Sequence, residues 1–232
     1  MQPWFIWRGV DSRTMGVWVS AQNAPTRASE RVNEVTIPGR AGSLTLREGP
    51  DCHEGYAKEI TITVRSDADF QALTDWLRGD GEVVFSNEPN FAYFAHMAAR
   101  VRFDRNGNSL KTATLAFWVH PHKGQYPPEP DITLSASGTI HNPGNVAARP
   151  VITVTFTGTG KVEIGDQEMT FTDTDTVNAT TLVVDCDSEI ITKSGAIWDG
   201  LYDQEFFTLP PGASTYALTG ATAVIRPRWR WC

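Results

Sequence analysis

The chain has 232 residues, enough for one large or two small domains, and its 41% apolar and 20% charged content argues against disorder. The net charge of −7 is uneven: fourteen basic side chains stand against fourteen acidic ones up to Lys123, and six against thirteen from Gln125 onward. Neither half offers the basic face that phosphate contacts need, no run nears the ~20 apolar residues of a membrane helix, and Met1-Gln2-Pro3-Trp4 does not open an export signal, so a soluble protein that binds neither nucleic acid nor membrane is expected.

Period-two alternation dominates the first half. Val35-Thr36-Ile37 follows Arg31-Val32-Asn33-Glu34, and Pro38-Gly39 is a turn pair between two strands. Ile60, Ile62 and Val64 alternate with Thr61, Thr63 and Arg65, the pattern of a strand with one buried face. One short helix follows. Ser66 is placed to cap its first amides, with Asp69 at the third helical position; Phe70, Leu73, Trp76 and Leu77 then recur along one face, which assigns Trp76 to the core. Gly79 supplies the left-handed residue that ends it. Asn87-Glu88-Pro89-Asn90 is a turn leading into the aromatic cluster Phe91-Ala92-Tyr93-Phe94, which fits a subunit contact or plain alternation within a strand. Asp104-Arg105-Asn106-Gly107-Asn108 contains the hairpin signal Asn-Gly, and Leu115, Phe117 and Val119 alternate after it.

The composition changes near His120. Pro127, Pro128 and Pro130 stiffen the chain and remove amide donors, so 125–131 reads as a linker between domains at 1–124 and 132–232. The second domain reads as short strands separated by turns. Val151 to Phe156 is followed by the turn Thr157-Gly158-Thr159-Gly160; Lys161 to Ile164, Glu168 to Phe171, Leu182 to Asp185, Glu189 to Lys193, Thr215 to Leu218 and Ala223 to Arg226 follow. Strands at this spacing without helical pattern predict a β-sandwich. The fold class is therefore all-β with one short helix.

Motifs for chemistry are sparse. His120-Pro121-His122 places two imidazoles at i and i+2, but Pro121 disturbs a strand and no third ligand stands out, so ordinary strand-end histidines are expected and no metal. Asp185-Cys186-Asp187 lacks the rest of a calcium loop. There is no nucleophile elbow, and Gly158-Thr159-Gly160-Lys161-Val162 is too short for a phosphate loop, so neither an enzyme nor a cofactor is expected. Cys52, Cys186 and Cys232 form no C-x-x-C pair and are expected as reduced thiols. Among eight tryptophans, Trp198 lies in Ala196-Ile197-Trp198-Asp199-Gly200, a loop-like setting. It is the best candidate for a carbohydrate contact, against the plainer reading of a Trp capping one end of the sandwich.

The order of motifs resembles a known family. Trp7-Arg8-Gly9-Val10-Asp11-Ser12, Val35-Thr36-Ile37-Pro38-Gly39-Arg40-Ala41-Gly42, Trp76-Leu77-Arg78-Gly79, Val84-Phe85-Ser86-Asn87-Glu88-Pro89 and Phe117-Trp118-Val119-His120-Pro121 follow one another as in the N-terminal domain of phage distal tail proteins. Asn142-Pro143-Gly144, Ala148-Arg149-Pro150-Val151, Phe207-Thr208-Leu209-Pro210-Pro211-Gly212 and Ile225-Arg226-Pro227-Arg228-Trp229-Arg230 are similar to its C-terminal domain. The resemblance implies a sandwich-like, ring-forming first domain and a galectin-like second one. It implies a homohexamer in the virion, made in the host cytoplasm, that contacts the tail tube protein and the tip or receptor-binding proteins. Pro38, Gly39 and Arg40, with Phe91, Tyr93 and Phe94, are the candidate subunit interface. A carbohydrate-binding attachment protein is the alternative.

Overall fold

The computed structural model describes every residue except 1, 48, 50, 51, 66, 99, 107, 108 and 199–204. The chain divides into two compact units: one runs to Pro127 and includes Cys232, the other runs from Pro128 to Trp231. The stretch expected as a linker is shared out between them. The Tyr126 amide donates to the Asn90 carbonyl at 2.8 Å in the first unit, and in the second Asp131 accepts from the Arg226 guanidinium at 2.9 and 3.2 Å.

In the first unit, β1 (Phe5–Trp7), β2 (Val10–Asp11) and β3 (Trp18–Gln22) precede β4 (Val32–Thr36) and β5 (Ser43–Arg47). Then come β6 (Tyr56–Arg65), α1 (Phe70–Trp76), β7 (Asp80–Phe85), β8 (Phe91–Met97), β9 (Asp104–Asn106) and β10 (Leu110–Gln125). All strands but β4 and β5 join one sheet in the order β2-β1-β7-β8-β10-β6-β3, with β9 also beside β10. In a flat sheet β1 and β10 would stand about 14 Å apart, three strand spacings of about 4.8 Å. Instead the Trp7 and Phe117 ring centroids lie 5.2 Å apart, and Phe5 and Phe85 each approach the same Phe117 ring to 5.9 Å. The sheet is therefore strongly curled around its own inward residues. The helix fills this interior with Leu73 and Leu77. Trp76 packs on the core as expected, stacked on Phe5 at 5.4 Å.

Three local expectations need correction. The helix starts at Phe70, and its N-cap is Asp69, whose carboxylate accepts from the Ala72 amide at 3.0 Å; the expected cap, Ser66, lies outside the described residues. His120 and His122 are not at a strand end, because β10 continues to Gln125. Its register against β8 shifts between Val119 and Lys123, so His120-Pro121-His122 forms a bulge that accommodates the missing proline amide. The third concerns the second unit's glycine-rich segment, described below. The Asn-Gly signal does mark a hairpin: Asn106 pairs with Leu110, around Gly107 and Asn108, which lie outside the described residues.

The curled core encloses charge. Lys58 points inward from β6, two positions before Ile60. Its ammonium donates to Glu88 Oε2 at 2.6 Å and to Tyr93 Oη at 3.3 Å; the Tyr93 hydroxyl donates to the same carboxylate oxygen at 2.8 Å, and Lys123 donates to Oε1 at 2.7 Å. Lys58, Glu88 and Tyr93 are all buried and Lys123 is partly so, and the two cations share one carboxylate. Burial pushes the Glu88 carboxyl upward, but hydrogen bonds from Lys123, Lys58 and Tyr93 outweigh it and hold the group below its ordinary value. Burial pulls the Lys58 ammonium downward and pushes the Tyr93 phenol upward.

The second unit contains β11 (Ile132–Leu134), β12 (Ser137–Asn142), β13 (Val151–Ile164), β14 (Gln167–Thr172), β15 (Thr180–Asp185), β16 (Ile190–Lys193), β17 (Ala196–Ile197) and β18 (Gly212–Arg226). Thr157-Gly158-Thr159-Gly160 is not a turn: β13 runs through it as one strand. Likewise β18 unites the two strands expected at Thr215 to Leu218 and Ala223 to Arg226. The pairing of β13 with β18 shifts between Phe156 and Lys161. On one side of this bend β13 pairs β15 and the later half of β18, and on the other it pairs β14 and the earlier half. Each long strand thus serves two layers of a sandwich. Buried residues of both, such as Val154, Leu182 and Ile225 or Val162 and Met169, form a single core.

Gly220 stands at this bend with φ +64°, where a Cβ would lie 2.7 Å from the Thr159 carbonyl oxygen. Both the left-handed backbone and the close approach require glycine. Gly220→Ala is expected to destabilise the protein by about 1–3 kcal/mol, read as a lower urea midpoint without loss of native β signal. Glu88→Gln leaves the buried Lys58 ammonium and the part-buried Lys123 ammonium without a countercharge and is expected to lower stability by about 3–5 kcal/mol. Because the folded Glu88 carboxyl binds its proton more weakly than the unfolded one, its contribution is complete above the ordinary value of 4.5 and is lost as pH falls through the folded pKa. Unfolding midpoints measured from pH 6 down to about pH 3 should therefore fall more steeply for the wild type than for Glu88→Gln.

Candidate functional site

β4 and β5 pair only with each other among the described residues, and every residue of both strands is exposed. The turn between them closes with the Arg40 amide donating to the Ile37 carbonyl at 3.2 Å. Directly paired residues of an antiparallel ribbon face the same side. Val35 opposite Leu44 and Asn33 opposite Leu46 therefore share one face, which Ile37 extends, while Glu34 opposite Thr45 and Thr36 opposite Ser43 share the other. The second face is polar apart from Val32, which stands opposite Arg47, and there the Ser43 hydroxyl donates to Glu34 Oε2 at 3.3 Å. The first face is apolar, yet Val35 and Leu44 are each 39% exposed and Leu46 is 48% exposed. The ribbon is amphipathic, and its greasy side faces water.

A second exposed surface lies on the outer side of the curled sheet. Asp80, His96, Trp118 and Ala57 stand opposite one another across β7, β8, β10 and β6. Beside them Phe94 pairs with Glu82 and meets the His120 ring edge-on at 5.0 Å. Trp118 and Phe94 are 42% and 46% exposed, so this row is rich in aromatic surface.

The residues expected to form one interface lie on different elements. Pro38, Gly39 and Arg40 are exposed at the tip of the ribbon. Phe94 faces outward from β8, but Tyr93 turns inward and is buried in the Glu88 cluster, which removes its side chain from the exposed surface. Phe91 is half-buried, with the Lys123 ammonium 4.4 Å from its ring centroid. Trp198 is half-buried against the second core, 6.3 Å from Phe171, while its neighbours Asp199 and Gly200 lie outside the described residues. Sequence reasoning missed the Lys58 cluster, although a lysine in phase with Ile60, Ile62 and Val64 was its visible signal.

The other suspected chemistry resolves into structural contacts. Asp185 accepts from Arg228 at 2.9 and 3.1 Å and from the amides of Asp187 and Ser188, and Asp187 pairs with Arg230 at 2.8 Å. Cys186 between them is buried, and burial pushes its thiol up to about 12, far from a reactive thiolate. The His53 and His122 rings lie edge-on at 5.5 Å. Among the described residues no group of three or more His, Cys, Asp or Glu side chains is placed to hold a metal ion. No described helix is long and apolar enough to cross a membrane.

Residues 143–231 match the family described as the siphovirus-type tail component, C-terminal domain. No curated protein sequence matches the chain. Among solved structures, the crystal structure of SPP1 Dit (gp 19.1), described as a paradigm of the hub adsorption apparatus in phages infecting Gram-positive bacteria, is similar with a TM-score of 0.71. The similarity covers 97% of this chain and 98% of that one at 17% identity, which establishes a shared fold. Residues 143–231 thus carry the sequence pattern of the siphovirus-type tail component C-terminal domain, and nearly the whole chain shares the fold of SPP1 Dit.

Proposed function

We propose that this chain is a siphovirus-type tail component and a distal tail hub, in which six copies close into a ring that joins the tail tube to the tail tip or receptor-binding proteins of a phage or prophage particle. It is made in the host cytoplasm and works in the virion as a structural part, without catalysis. The observation that carries self-assembly is the exposed apolar face of the β4–β5 ribbon. A lone two-stranded hairpin is marginal in water, and this one leaves Val35, Ile37, Leu44 and Leu46 uncovered. Finishing the burial of these four side chains would contribute roughly 2–5 kcal/mol per copy, taking the uncovered fraction of about 1.5–3 kcal/mol for each.

The ribbon and the outer row of Phe94 and Trp118 are different patches of one unit. A contact between unlike patches is heterologous, and repeated around an axis it closes a ring. Pro38, Gly39 and Arg40 at the ribbon tip and Phe94 on the sheet belong to this interface in our reading, with Phe91 at its margin.

Light scattering on the purified chain tests the proposal. Six chains of 25.6 kDa give about 154 kDa for the wild type, and Leu44→Glu combined with Leu46→Glu should return a folded monomer. A wild type that stays monomeric at high concentration, or a charged ribbon that still forms the full assembly, would refute it.

A further inference from the structure

The outer side of the curled sheet carries carboxylates without a cationic partner. Asp80 and Glu82 project from β7, Asp80 opposite His96 and Glu82 opposite Phe94, and both are exposed. Among the described residues neither makes an ion pair. Arg8 lies beside Glu82, where its amide donates to the Glu82 carbonyl at 2.9 Å, but its guanidinium donates to the Arg78 carbonyl at 3.1 Å. The β4–β5 ribbon has the opposite surplus at its tip. Arg40 is exposed there, its amide closes the turn, and its guanidinium has no partner among the described residues.

The spacings agree. The directly paired Val35 and Leu44 precede the ribbon tip by about 10 Å, three residues at ~3.3 Å each. On the sheet, Trp118 of β10 stands about 10 Å from β7, two strand spacings of ~4.8 Å, and Phe94 projects from β8 between them. The same distance on the other side of β10 reaches β3, whose residues Trp18–Gln22 include no acid. A ribbon seated with Val35 and Leu44 on Trp118 and Ile37 on Phe94 therefore carries Arg40 to Asp80 and Glu82 in one direction only.

We infer that Arg40 of one copy pairs with Asp80 and Glu82 of the next, and that this ion pair fixes the direction in which the ribbon lies. The contact presupposes the ring proposed above and decides how its copies are oriented. Apolar burial is non-directional, so Trp118 and Phe94 alone would accept the ribbon either way round. A guanidinium set between two carboxylates is directional, and the reversed ribbon would leave Arg40 over the uncharged β3. Charges at the margin of an apolar contact select partner and register more than they add affinity.

Charge reversal tests the pair, with the ring followed by light scattering over a dilution series and the fold by circular dichroism. Arg40→Glu, or Asp80→Lys combined with Glu82→Lys, should raise the concentration at which the ring half-dissociates by roughly 5-fold or more, because like charges then meet. All three substitutions together should bring that concentration back to within about 2-fold of the wild type. The wild-type ring should weaken between ~50 mM and ~500 mM salt. Leu44→Glu with Leu46→Glu should dissolve the ring even with Arg40 intact. An intact ring that neither reversal weakens overturns the pair and leaves the ring reading in place. So does a rescue of Arg40→Glu by Glu59→Lys, at the exposed acid on β6, instead of by the β7 substitutions. A wild type that never assembles overturns both.

Discussion

Side chains on a strand point to opposite faces in turn, and this parity governs the first unit more than any single contact. On β8 it sends Tyr93 inward to Glu88 and Phe94 outward to His120. On β6 it puts Lys58 in phase with Ile60, so a cation must enter the core with the apolar residues. The charged cluster is the answer to that demand, because only a carboxylate with further donors makes a buried ammonium tolerable. In the ribbon the same parity collects Val35, Leu44 and Leu46 on one side, where the unit offers them no cover.

The two units treat their charges differently. The first places a carboxylate shared by two ammonium groups inside. The second pairs its basic residues at the periphery, most of them on partly exposed side chains where each pair contributes little stability. An acidic exterior favours selective, salt-sensitive contact with a partner of opposite charge. That contrast follows the even and uneven charge of the two halves of the sequence.

Much of this was legible beforehand. Alternation gave the β class, the apolar face at Phe70, Leu73, Trp76 and Leu77 gave the helix, and Asn106-Gly107 gave a hairpin. What failed was degenerate locally. Ser and Asp cap helices about equally well, so nothing nearby told Ser66 from Asp69. A glycine inside a β pattern marks a turn or a bulge alike, and what decides for Thr157-Gly158-Thr159-Gly160 is Gly220, sixty residues further on. The buried Glu88 sits in a turn that reads as solvated, and only the fold brings Lys58 and Lys123 to it.

The long strands of the second unit carry one more implication. Because β13 and β18 pass without interruption from one layer to the other, the layers are tied by covalent backbone as well as by side-chain contacts. Sliding one layer across the other would break the ladder along both strands at once. The module is thus built to transmit a pull as a stiff body.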